Sequence, residues 1–271
     1  MHVFLFKLTL AAYLLSTFGY LTSLVVRRVL AARVSTWIFA AAFLLHTASF
    51  GARCIEASHS PVTNLFEALS FFTWVLAGGY LFLQFRTKTR VLGAFISPAT
   101  LIILIAASAG IGGPVALPSV LKSGLVSVHV ILAVAGEALF ALASFAGAMY
   151  LIQDGLIRRK KASELSRLLP SLGDLDRINY LCMLWGFPLL TIGVLVGAVW
   201  ARTAWGSVWQ WDPKQIWTLM AWILYAILLH QRVAIGWKGR KAAMCSLLFF
   251  ILLAIAFAVE AAFIPTIHRF M

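Results

Sequence analysis

Eight stretches of the chain are apolar over roughly the length of a bilayer core, at residues 3–26, 35–52, 64–85, 91–109, 123–152, 180–200, 213–235 and 242–263. Polar and basic residues gather in the short segments between them. The pattern predicts an all-α polytopic membrane bundle of about eight transmembrane helices, built as a single integral membrane domain over residues 1–271. The first apolar stretch is too long for a secretory leader, has no small-residue cleavage site and is followed by Arg27 and Arg28, so it is expected to be a retained span. The longest connection, 153–179, carries RRKK and then a run whose apolar residues suit a short amphipathic surface helix or, equally, a solvated linker.

Composition sharpens this picture. With 62% hydrophobic residues, 11% charged residues and a mean hydropathy of +0.94, the chain is too apolar for a soluble domain. Its net charge of +13 would suggest a nucleic-acid partner in a soluble protein. Here, however, the basic residues fall in alternate connections. Placing the loop after the first span in the cytoplasm puts 16 of the 22 basic residues inside, from Arg27 and Arg28 to Arg240 and Lys241. That bias predicts both termini outside, the segment around Trp205 also outside, and no nucleic-acid partner. The three cysteines, Cys54, Cys182 and Cys245, form no CxxC pair and read as buried thiols. Without a convincing internal repeat, an inverted-repeat transporter lacks its usual support, and a transporter with an aromatic gate fits the hydropathy but leaves His129 and His268 unexplained.

Candidate chemistry concentrates in one place. Between Trp200 and Trp222 the chain reads WARTAWGSVWQWDPKQIWTLMAW, six tryptophans in 23 residues. Gly206 and Ser207 favour irregular backbone, and Asp212 before Pro213 is a helix cap followed by a first turn, so a loop is expected over 200–211 and a helix from Pro213. An interfacial aromatic belt accounts for Trp37, Trp74 and Trp237. Trp200, Trp205, Trp209 and Trp211 instead share one short segment, which suits a ligand platform. Of the six histidines, His129 falls near the outer end of the fifth span and His268 just beyond the eighth. Ala133, Gly136, Ala143 and Gly147 recur along nearly one face below His129, which permits close helix packing. By itself such a histidine is more often a hydrogen-bonded boundary residue than a ligand. His230 lies 17 residues after Pro213, about 25 Å along a helix, and so belongs to the other side of the membrane. It reads either as a ligand there or as a snorkelling residue beside Arg232. His46 is a packing residue or an intramembrane ligand, while His2 and His59 are expected to be solvated. Glu67, three residues after Asn64, has capping-box spacing. Glu137 and Glu260 are ionisable groups in apolar surroundings and are functional candidates for that reason.

The run WGSVWQWDPK resembles the tryptophan-rich WWD signature of the CcsA (ResC) family of cytochrome c assembly proteins. The likeness continues through LDRINY, GFPLLTIGVLVGAVW and LLHQR, and more weakly through HSPVTNLFEALSFFTW and SVHVILAVAGEALF. It implies a haem-handling subunit of a system II cytochrome c synthase in the bacterial inner (cytoplasmic) membrane. Such a subunit presents haem b, as bound ligand and substrate, at an external loop for covalent attachment to apocytochrome c. The resemblance further implies axial ligation by His129, in its HV context, and by His268, in PTIHRF. Trp200, Trp205, Trp209, Trp211, Trp217 and Asp212 would enclose the ring, and His230, in LLHQR, would serve an inner waypoint. Implied partners are a ResB/CcsB-like membrane protein, which makes His46 less necessary as a ligand, and a thioredoxin-like thiol reductant. The chain would then be part of a holocytochrome c synthase complex forming thioether bonds, with no side chain marked as acid, base or nucleophile. The alternative is a HemX-like membrane regulator of tetrapyrrole synthesis, against which the intact WGSVWQWDPK run and His230 argue.

Overall fold

The computed structural model describes residues 1–26, 29–57, 64–87, 90–112, 123–159 and 169–263. The described residues contain no strand. They form α1 (His2–Val26), α2 (Val29–Ala57), α3 (Leu65–Thr87), a short 3-10 turn (Arg90–Leu92), α4 (Gly93–Ser108), α5 (Gly124–Arg158), α6 (Leu172–Trp205), α7 (Pro213–Val233) and α8 (Arg240–Phe263). Each expected apolar stretch corresponds to one helix. Seven are long and apolar enough to cross a bilayer, and α4, with 16 residues, is the shorter one. The protein is a multi-pass membrane protein. The expected connection over 153–179 is shorter than its sequence suggested, because α5 continues to Arg158 and α6 begins at Leu172; residues 160–168 lie outside the described residues.

The chain divides into two compact units, Met1–Ala116 with Gly155–Ser171, and Leu117–Asp154 with Leu172–Met271. In the first unit α1 and α2 form a hairpin in which Ser16 Oγ donates to the Ser35 carbonyl at 2.9 Å. The fully buried rings of Tyr13, Tyr20, Phe39 and Tyr80 meet edge-on, with the Tyr20 and Tyr80 hydroxyls 2.7 Å apart. His46 joins this core. It has no exposed surface, lies edge-on to Tyr13, and its Nε2 is 2.9 Å from Ser70 Oγ. Packed in this way, it serves as a core residue and leaves no open face for a macrocycle.

A buried charge network closes one end of the first unit. Arg53 Nε donates to Glu67 Oε1 at 3.0 Å, and Arg53 Nη1 reaches the Gly112 carbonyl and His2 Nε2. His2 is buried rather than solvated, because its other ring nitrogen is held by Glu56 and its Nε2 faces the Arg53 guanidinium. Asn64 caps α3 by accepting from Glu67 N at 2.8 Å, whereas the Glu67 carboxylate turns to Arg53 instead of back to the cap. Charge pairing in a low-dielectric setting outweighs the second half of a capping box.

The second unit is built on backbone contact between α5 and α6. A Cβ placed on Gly136 would lie 2.8 Å from the Gly186 carbonyl oxygen and 2.9 Å from Leu190 N, and one on Gly193 would lie 2.8 Å from Ala133 N. Gly147 approaches Ala243 and Ser246 of α8 in the same way. Small residues at these spacings let the helices touch, which is how helices associate where solvent supplies no hydrophobic drive. One end of the unit is fastened by Arg232, which is buried. Its Nη1 donates to Asn179 Oδ1 at 2.8 Å and its Nη2 to Asp176 Oδ1 at 3.0 Å. Asn179 Nδ2 in turn donates to the Ala143 carbonyl and to Ser246 Oγ, so the four helices share one polar network.

Candidate functional site

The opposite end of the second unit carries the tryptophan segment. Here α6 runs on to Trp205, so the expected loop over 200–211 shrinks to Gly206–Asp212. The residues Ala201 to Ala204 contain no helix breaker. The stop comes at Gly206, whose φ of +78° glycine alone adopts at low cost and whose N–H closes on the Arg202 carbonyl. Asp212 is the N-cap of α7 and accepts from Lys214 N at 3.2 Å, with Pro213 next in line, as its sequence implied. The segment between is braced by side-chain amides. Gln210 N donates to Gln215 Oε1 and Gln215 Nε2 to Gln210 Oε1, each at 2.8 Å. Ser207 Oγ bonds the Trp209 carbonyl, and Gln210 Nε2 the Ser207 carbonyl. A short segment tied in this way holds its aromatic side chains in place before any ligand arrives.

The structure brings the expected tryptophans together in two pairs. Trp200 is buried and meets Trp205 edge-on at 4.7 Å between centroids. Trp209 and Trp211 are perpendicular at 5.7 Å, and Trp211, at φ +56°, is 75% exposed. That backbone conformation is strained for a large side chain, and it turns the indole away from the core. Trp217 lies half-buried in the second turn of α7.

His129 is held by α6. Its Nδ1 lies 2.8 Å from the Gly193 carbonyl oxygen, and its ring rests on Gly197, where a Cβ would come within 2.5 Å of Nδ1. A carbonyl can only accept, so Nδ1 carries the proton and Nε2 is left with its lone pair. A neutral imidazole fixed by a backbone carbonyl through its other nitrogen is the arrangement that metal-ligating histidines adopt. Gly197 precedes Trp200 by one helical turn, which sets His129 at the tryptophan end. The donor chemistry therefore fits an iron porphyrin: one preset imidazole nitrogen beside an indole-lined segment. The glycine partners on α6 were not singled out from the sequence, although their spacing at 186, 193 and 197 was a readable signal for a close-packing face.

The remaining expected residues are not gathered here. His268 and His59 lie outside the described residues. His230 is exposed, on the side of α7 opposite the buried Ala221, Tyr225, Leu228 and Arg232, in a stripe with Leu219, Ile223 and Ile227. Cys182 is buried as expected, whereas Cys54 and Cys245 are only partly buried.

Residues 62–265 match the family described as Cytochrome C assembly protein. A "Cytochrome c biogenesis protein CcsA" of Guillardia theta is 32% identical over 230 residues, covering 78% of this chain and 76% of its own. Proteins of the same name from Synechocystis sp. and Synechococcus elongatus are 30% and 33% identical, covering 85% and 78% of this chain and 86% and 79% of theirs. This chain belongs to the cytochrome c assembly protein family.

Proposed function

We propose that the chain handles haem during cytochrome c assembly and presents it at the tryptophan end of the second unit. The supporting observation is the clamp on His129, whose Nδ1–H is spent on Gly193 so that Nε2 is free to ligate. His268 is the second axial ligand, and Trp200, Trp205, Trp209, Trp211 and Trp217 cover the ring, with Asp212 fixing the start of α7 beneath them. The substrate is haem b, whose two vinyl groups take up the two thiols of an apocytochrome c CxxCH segment as thioethers. The chain itself contributes position: His129 fixes the iron, and the braced segment fixes the plane, so that the edge of the ring meets the thiols repeatedly in one geometry. Orientation of this kind accounts for several kcal/mol, up to about 7–11 kcal/mol in tight cases.

His230 serves a separate inner waypoint. Among the described residues this imidazole, on an exposed apolar face, has no side-chain hydrogen bond, which suits a ligand completed by a CcsB-like membrane partner. The membrane is the bacterial cytoplasmic membrane, with the tryptophan end outside, as the distribution of basic residues implies. A thioredoxin-like reductant keeps the incoming thiols reduced. The HemX-like alternative is not favoured, since the relatives reported above are named for cytochrome c biogenesis. The experiment is purification in detergent with absorption spectroscopy. A bis-imidazole haem spectrum that is lost in His129→Ala is expected, and an unchanged spectrum in that variant would overturn the assignment.

A further inference from the structure

The first turn of α7 carries a side chain whose bonds do not serve α7. Asp212 is the N-cap and Pro213 opens the helix, so Gln215 stands at the third helical position, from which a Gln or Glu in a capping box reaches back to the backbone N–H of the cap. Gln215 reaches further. Its Oε1 accepts from Gln210 N at 2.8 Å, two residues before the cap, and its Nε2 donates to Gln210 Oε1, also at 2.8 Å. Two bonds between the same two residues fix the orientation of Gln210 as well as its place. The Gln210 amide passes the tie on, because its Nε2 donates to the Ser207 carbonyl. Ser207 Oγ in turn donates to the Trp209 carbonyl at 2.8 Å and accepts from Trp209 N at 3.3 Å. One chain of amides and a hydroxyl therefore runs from α7 back to Ser207.

This chain accounts for the backbone of Trp211. Gln210 on one side is held by Gln215, and Asp212 on the other is held as the cap, accepting from Lys214 N at 3.2 Å. Trp211 has to join two fixed ends. It does so at φ +56°, a conformation that a bulky side chain keeps only where its surroundings impose it. The result is a Trp211 indole that is 75% exposed and perpendicular to Trp209 at 5.7 Å between centroids. Released at Gln210, the backbone of Trp211 is free to relax to negative φ, which moves both indoles. The strain set free offsets part of the bonding lost, so the fold changes little while the arrangement of the indoles is lost.

We propose that Gln215 is a positioning residue for the haem site: from the first turn of α7 it holds Gln210, and through Gln210 it sets the places of Trp209 and Trp211 before a ligand arrives. This rests on the haem reading above. Gln215 acts through Gln210 and the two indoles, and ligation stays with His129. A planar ligand that meets indoles already in place orders less on binding and is released more slowly.

The test begins on haem-free, full-length protein in detergent, with hydrogen exchange followed by mass spectrometry. The peptide containing Gln210 N–H exchanges about tenfold faster in Gln215→Ala than in the wild type, as loss of its one backbone bond requires, while peptides of α5 and α6 are unchanged. Gln215→Glu keeps an acceptor for Gln210 N and retains the slow exchange. Equal exchange in the wild type and Gln215→Ala overturns the proposal. So does faster exchange throughout α6 and α7, which marks Gln215 as a residue of the fold alone. Loaded with haem, Gln215→Ala reaches the wild-type haem content, since His129 is intact, and releases haem to a soluble scavenger several-fold faster. Release at the wild-type rate overturns the positioning role even where exchange has changed. Each of these outcomes leaves the wild-type haem spectrum, and so the haem reading, intact; a wild type without that spectrum removes the reading and the proposal together.

Discussion

Replacing Gly197 with alanine places a methyl carbon 2.5 Å from His129 Nδ1, 2.6 Å from Cε1 and 3.1 Å from Cγ. Carbon and nitrogen atoms in contact need about 3.5 Å, so the ring has to move by roughly an ångström. The imidazole is the mobile side, since Gly197 is fixed in the middle of a turn of α6. Moving it breaks the 2.8 Å bond to the Gly193 carbonyl. The cost to the fold is the bond, about 0.5–1.5 kcal/mol, and an off-rotamer side chain, about 0.5–1.5 kcal/mol. The cost to function is larger than the cost to stability. Loss of the backbone acceptor leaves the tautomer and the direction of Nε2 unfixed, and changes of this kind weaken metal binding about 10–100-fold. The assay compares haem content per chain and the Soret spectrum of Gly197→Ala with those of Gly155→Ala, a helical glycine whose Cβ would meet nothing within 4 Å. The expected outcome is a well-folded Gly197→Ala protein that loses haem, beside a Gly155→Ala protein that retains it. Wild-type haem content in Gly197→Ala would refute the idea that this groove sets the ligand.

Four further outcomes follow from the geometry. Asp212→Ala removes the acceptor for Lys214 N and lowers thermal stability by about 0.5–2 kcal/mol, read from unfolding in detergent. Arg53→Leu leaves Glu67, at 2% exposure, without its guanidinium partner and costs about 3–5 kcal/mol by the same measurement. His230→Ala, on an exposed face, changes stability by no more than about 0.5 kcal/mol but lowers the haem retained when the His129 site is already disabled. Trp211→Ala, at an exposed and strained position, leaves folding intact while slowing formation of holocytochrome c in cells that carry the partner proteins.

Much of the architecture was legible because a bilayer leaves few choices. A chain with eight apolar stretches must satisfy its backbone within each one, so helices at those places follow directly from hydropathy. The Asp212–Pro213 start of α7 was equally readable, since cap and first turn are both local. Helix ends were less so. Nothing in Ala201 to Ala204 signals whether α6 stops at Trp200 or carries on, and only the positive φ available to Gly206 decided it. Buried polar partners were the least legible. His2 looked solvated, because its partner Arg53 lies 51 residues away in sequence, and nothing local pairs Arg232 with Asn179, 53 residues away.

The candidate site divides along the same line. Tryptophan crowding, the position of His129 and the stripe of small residues beneath it are properties of the sequence, for they depend on composition and on helical periodicity alone. The protonation of Nδ1 and the freedom of Nε2 came only with tertiary structure. Each depends on which helix lies against α5, at what height and at what distance. That choice was made by glycines on α6, which let the α5 backbone and the His129 ring lie directly against them.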